Sequence, residues 1–126
     1  MKRAGIFLFF DPQGIVDDYV VACLTSLREY LDEILVVSNS PLDDTARERL
    51  LRGATEVFER ENTGFDVGGY RDGIARFGWE RLGQFDELIL FNYTFFAPIH
   101  PWKNLFDRID AAGAIDFWGI TEHDEI

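Results

Sequence analysis

Apolar and polar positions alternate along this chain in two rhythms, short unbroken apolar runs and longer stripes of helical spacing. Gly5 to Phe10 is a continuous apolar run closed by Asp11-Pro12-Gln13-Gly14, as expected of a strand buried on both faces and ended by a turn. Asp17 and Asp18 then open a helix in which Val20, Leu24, Leu27 and Leu31 recur on one side. Ile34 to Val37 predicts a second buried strand, ended by Ser38-Asn39-Ser40-Pro41. Asp43-Asp44-Thr45 is suited to capping a short helix through Leu51, and Thr55 to Phe58 predicts a third strand. Tyr70, Ile74 and Phe77 mark the inner stripe of a helix that starts at Tyr70 and frays at Gly78. Leu88 to Phe91 predicts a fourth strand, Trp102, Leu105, Phe106 and Ile109 a further helix, and Asp116 to Ile120 a last strand before a polar tail.

Strands that alternate with helices imply right-handed crossovers, a mainly parallel sheet and helices on both faces. The predicted fold is a Rossmann-like three-layer α/β/α sandwich. With 126 residues and no internal repeat, low-complexity tract or linker, residues 1–126 read as one domain.

Composition narrows the partners. A net charge of −11 leaves no basic stripe for nucleic acid or for a polybasic contact with anionic lipid. A single cysteine, Cys23, cannot form an internal disulfide and fits a reducing cytoplasm; its place beside the apolar stripe makes it a buried thiol. Met1-Lys2-Arg3 before an apolar run looks like the start of a signal peptide. The run ends too soon at Asp11-Pro12, and no small-residue cleavage site follows. No stretch reaches membrane-spanning length.

In open parallel sheets, ligands bind outside the carboxyl ends of the strands. The polar groups expected there are Asp11, Ser38-Asn39-Ser40, Asn62 to Asp66, Asn92-Tyr93-Thr94 and Thr121-Glu122-His123, which should line one rim. Within that rim the joint from Glu61 to Gly73 is the most informative stretch. Gly64, Gly68 and Gly69 allow positive φ and close backbone approach, and the helix start behind them favours a phosphate or diphosphate. Asn62, Asp66 and Arg71 add side chains able to hold a ribose, a base or a diphosphate. A plain turn between strand and helix needs glycine too, but seldom so many polar groups with it.

Other chemistries lack their residues. There is no Gly-x-Ser-x-Gly elbow, no Cys–His arrangement, no Gly-Lys-Ser/Thr phosphate loop and no Gly-x-Gly-x-x-Gly after the first strand. His100 and His123 have no metal-ligand spacing, and Asp17-Asp18 and Asp43-Asp44 read as helix-start charges. A phosphoacceptor receiver using Asp11 would need paired acids and a distal Lys that are not in place.

Leu8-Phe9-Phe10-Asp11-Pro12, Val37-Ser38-Asn39-Ser40-Pro41-Leu42, Glu61 to Tyr70, Leu90 to Phe96 and Phe117 to His123 closely resemble the rhamnan synthesis protein F family, in the same order over essentially the whole chain. The resemblance implies bacterial cell-wall and lipopolysaccharide O-chain synthesis, with transfer of rhamnose or a related sugar from a nucleotide diphosphate donor. A looser resemblance links the chain to inverting glycosyltransferases of the GT-A fold, in which Glu-Asn-x-Gly-(Phe)-x-x-Gly follows the third strand and helps hold the donor nucleotide. Asn62, Gly64, Gly68 and Gly69 fall on that pattern, and with Asp66 and Arg71 of the same joint and Asp11, Asn39 and Asn92 of the rim they are the nucleotide-sugar-binding candidates. The implied partners are dTDP-rhamnose, a polysaccharide acceptor and, peripherally, a membrane-bound assembly machinery at the inner face of the cell membrane.

Two departures from the GT-A pattern matter. Asn92-Tyr93-Thr94 stands where an Asp-x-Asp type motif would hold manganese or magnesium, so weak or no manganese binding is expected at that turn. The acceptor half with its catalytic base is also expected beyond this donor-side part, so the isolated chain is expected to be inactive. Glu122 and Asp124 are base candidates by position only, and no catalytic residue is assigned. The competing reading is a non-catalytic α/β domain that binds a nucleotide sugar or a partner protein. The donor-site reading predicts that Gly68→Val abolishes nucleotide-diphosphate binding with the fold kept.

Overall fold

The structure, a computed structural model, describes residues 1–94 and 97–120. Four strands, β1 (Arg3–Phe9), β2 (Glu33–Ser38), β3 (Glu56–Glu59) and β4 (Glu87–Asn92), form one parallel sheet in the order β3-β2-β1-β4. Between and after them run α1 (Asp18–Leu27), α2 (Asp44–Leu51), α3 (Phe65–Phe77), the short α4 (Trp79–Leu82) and α5 (Trp102–Ala111).

The central strand shows why the apolar runs are unbroken. All seven residues of β1 are buried, because both faces of the sheet are covered. Phe7 and Phe9, with Ile34 and Val36 of β2, pack against α1, α2 and α5 through Leu24, Leu50 and Phe106. Ile6 and Leu8, with Leu35 and Val37, turn the other way and meet Tyr70, Ile74 and Phe77 of α3. This is the expected three-layer sandwich. The two-residue alternation in β1 and β2 distributes each apolar run between two cores, whereas in β4 only Ile89 and Phe91 pack and Leu88 and Leu90 are left exposed.

Helix α3 begins at Phe65, five residues before the predicted start at Tyr70. Gly64 turns left-handed at φ 75° and serves as the N-cap, and the Gly68 N–H donates to the Gly64 carbonyl at 2.9 Å. The glycine-rich stretch is therefore the first turn of the helix and not a loop before it. Gly69 and Gly73, one turn apart, face the sheet. A Cβ on Gly69 would lie 2.7 Å from Leu8 Cδ2, and one on Gly73 2.9 Å from Ile6 Cγ2. Their missing side chains let α3 lie close to β1. Helical spacing alone located the inner stripe and missed the start, because glycine is a poor helix former read in isolation.

The expected strand from Asp116 to Ile120 does not form. Trp118 is the one residue of that run not left exposed: its Nε1–H donates to Glu87 Oε2 at 2.6 Å and its ring meets Phe106 edge-on. The run is held by this side-chain anchor and not by a backbone ladder, a distinction that a short apolar run cannot reveal. Arg3, the first residue of β1, is buried, with salt bridges to Glu87 and Asp110 and with Phe106 under its guanidinium. Among the described residues no helix is long and apolar enough to cross a membrane.

Candidate functional site at the carboxyl rim

The chain moves outward from β1 to β3 and then returns past β1 to β4, so its winding reverses between β1 and β4. In parallel sheets that reversal opens a crevice at the carboxyl ends of the two strands. Asp11 follows β1, Asn92 ends β4, and the first turn of α3 reaches Asn92 through Asp66. Asn92 Nδ2 donates to Asp66 Oδ2 at 3.4 Å, so two of the residues expected on the rim do meet. Asn92 Oδ1 accepts from both the backbone N–H and the hydroxyl of Thr94, which fixes the turn after β4.

Asp11, Asn39 and Arg71 belong to a run of polar contacts along the rim. Asp11 Oδ2 accepts the N–H groups of Gln13 and Ile15, each at 2.9 Å, while its own N–H donates to Ser40 Oγ at 2.8 Å. Asp11 thus shapes the first loop. Ser38 is fully buried, and its hydroxyl donates to the Ser40 carbonyl, closing the turn after β2 on itself. Asn39, also buried, accepts from Arg60 Nη1 at 2.6 Å. Arg60 reaches on to Asp72 Oδ2 at 2.7 Å and to the Thr63 carbonyl at 2.8 Å. Arg71 pairs with the same Asp72 at 3.4 Å, with its side chain 77% exposed. Asn62, Gly64 and Asp66 are exposed at the joint, and Gly68 and Gly69 are buried behind it. Glu122, His123 and Asp124 lie outside the described residues, as do Phe95 and Phe96.

Positive φ and close approach are divided among different residues of the joint. Gly64 has positive φ, but the second left-handed residue is Phe65, at φ 55° and 90% exposed. Gly68 and Gly69 are helical, and their need is for space: a Cβ on Gly68 would lie 2.8 Å from the Thr63 carbonyl oxygen. Asp72 and Arg60 are what sequence reasoning missed. A lone Arg after a strand and an Asp on the next helix carry no motif, and their pairing depends on the fold.

The electrostatics are local. The hydrogen bond from Arg60 holds the Asp72 carboxyl below the usual carboxylate range, with further help from the Arg60 charge and from Arg71. Burial, together with the charge of Asp66, pushes the Tyr70 hydroxyl up to about 12, so it stays a hydrogen-bond donor at neutral pH. Two clefts flank this region. One of about 410 Å³ lies between the loop after β1 and the start of α2 and includes Asp17, Asp43 and Arg49. The other, about 830 Å³, runs along β4 and includes Tyr70, Asn92 and Phe117. Neither is lined by Gly64 or Gly68, so the joint is an open part of the rim and its hydrogen bonding describes it better than enclosed volume does.

The rhamnan synthesis protein F family model matches residues 34–126, from the start of β2 to the end of the chain, and takes in the joint and β4. The chain belongs to the rhamnan synthesis protein F family. A curated relative, the uncharacterized protein y4gN of Sinorhizobium fredii (strain NBRC 101917 / NGR234), is 31% identical over 104 residues, covering 82% of this chain. The aligned part is 27% of the relative's length, so the chain spans about a quarter of it. No solved structure matches the chain.

The looser resemblance to GT-A enzymes implies a divalent metal at the turn after β4, and the residues described there do not fit one. Asn92 brings an amide, and the one carboxylate at hydrogen-bond distance is that of Asp66. Among the described residues no three His, Cys, Asp or Glu side chains group as a metal site would require.

Proposed function

We propose that the chain is the donor-binding part of a glycosyltransferase of bacterial cell-surface polysaccharide synthesis, taking rhamnose or a related deoxyhexose from a nucleotide diphosphate sugar. The observation that carries this reading is the joint itself. In a family of rhamnan synthesis, Gly64 turns left-handed at the carboxyl rim of a parallel sheet and starts a 13-residue helix. The first N–H groups of such a helix lack partners within it and carry partial positive charge, as a diphosphate requires.

Transfer would proceed by displacement at the anomeric carbon. The acceptor hydroxyl oxygen forms a bond to that carbon as the bond to the diphosphate oxygen breaks. The acceptor proton passes to a general base, and the nucleoside diphosphate departs with the bonding pair. The role of this chain is to bind and orient. The amides at the start of α3 hold the diphosphate, whose negative charge grows as the bond breaks. Arg71 adds a solvent-facing cation one turn on, and Asp66 and Asn92 offer an acceptor and a donor for sugar or ribose hydroxyls.

The turn after β4, which lacks the paired carboxylates of metal-dependent transferases, favours a second reading in which the domain binds a nucleotide sugar without turning it over. Calorimetric titration with dTDP-rhamnose, with and without manganese, tests the binding common to both readings. Assay of the full-length protein for release of dTDP in the presence of acceptor glycan separates them. Turnover supports the transferase, and tight binding without turnover supports the binding domain.

A further inference from the structure

We propose that Arg60 is the positioning residue of the donor joint, an inference that rests on the donor-site reading above. Its side chain is only 6% exposed, and its three nitrogens each tie down a different part of the rim. Nε donates to Asp72 on α3, Nη1 to Asn39 after β2, and Nη2 to the Thr63 carbonyl in the turn that leads into Gly64. A planar guanidinium can serve three acceptors lying in different directions, and a lysine ammonium on its flexible stem cannot hold them in one fixed arrangement.

Two consequences follow for the ligand. A guanidinium only donates, so the Asn39 atom facing it is the oxygen, and the Asn39 NH₂ is left to donate elsewhere on the rim. The Thr63 carbonyl is held one residue before the left-handed turn, so Arg60 sets where the first amides of α3 stand. Gly68 belongs to the same device. A Cβ there would come within 3.3 Å of Arg60 Nη2 and 2.8 Å of the Thr63 oxygen, where only a glycine leaves that contact intact. Arg60 therefore acts on a donor through Asn39 and through the joint, without touching it.

The test is dTDP-rhamnose titration into the wild-type protein, Arg60→Lys, Arg60→Gln and Asp72→Asn, with amide hydrogen exchange at Thr63–Gly68 in the ligand-free proteins. The expected result is a loss of about tenfold or more in affinity for both Arg60 variants, Lys giving no rescue, with faster exchange at the joint. Asp72→Asn removes one charge from the network at a part-exposed position, and gives a smaller loss with faster exchange. It remains informative if the Arg60 variants fail to fold. Folded Arg60→Lys that binds as the wild type does, or Asp72→Asn with unchanged affinity and unchanged exchange, overturns the proposal. Wild-type protein that takes up no dTDP-rhamnose overturns the donor-site reading instead, and hydrogen exchange then decides alone whether Arg60 fixes the joint.

Discussion

Asp66 and Arg71 stand on the first two turns of α3 with their charged ends in solvent. Substitutions at such positions usually change stability by no more than about 0.5 kcal/mol. Asp66→Ala and Arg71→Ala are therefore expected to melt as the wild type does while each weakens dTDP-rhamnose binding, read by thermal melts beside titration. Unchanged affinity would remove both residues from the site. Gly68→Val is less clean than it looks from sequence, because its Cβ meets the Thr63 backbone and any lost binding would come with a reshaped turn. Cys23 offers a test of burial. Its thiol is pushed up to about 11 by burial, so it should stay unreactive toward a disulfide reagent at neutral pH until the protein unfolds. Rapid labelling of the native protein would contradict the packing of α1. Among single residues, the meeting of Asp66 with Asn92 was legible because strand ends of a parallel sheet share a rim. The Arg60 network was not, since its partners lie 21, 12 and 3 residues away and no pattern marks them.

At the scale of elements, α3 links fold and site. Its N-terminal turn supplies the joint, and its glycine face sets how near the helix approaches the sheet. Gly69→Val would press a branched side chain against Leu8, in a core where overpacking typically costs about 1–3 kcal/mol. A lowered urea midpoint is the expected outcome, and an unchanged midpoint would show that α3 can lift off β1 at little cost. The four core strands and the helices α1, α2 and α5 were legible from apolar runs and stripes. The start of α3 was hidden by its glycines, whose value lies in tertiary contact. The run from Asp116 to Ile120 misled because apolar composition alone does not distinguish a ladder from a segment pinned by Trp118.

For the whole molecule, the acid limb of stability should carry the mark of the Arg60–Asp72 pair. The Asp72 carboxyl titrates lower in the folded protein than in the unfolded chain, chiefly because Arg60 donates to it. The unfolded state thus binds more protons there, and this contribution is full above the unfolded value and lost as pH falls through the folded one. From about pH 5 downward, the urea midpoint of Asp72→Asn should fall less steeply than that of the wild type. Parallel slopes would contradict the pairing. At this scale the net charge of −11 works against an anionic ligand, so a donor diphosphate would depend on local backbone amides and on Arg71 at one place. The central claim is that this place is the joint at Gly64. It is tested most directly by calorimetric titration of dTDP-rhamnose into the wild-type protein and into the Asp66→Ala/Arg71→Ala double variant. One-to-one saturable binding, weakened about tenfold or more in a double variant that melts normally, is the predicted result. No heat of binding to the wild type, or equal affinity in both proteins, would contradict it.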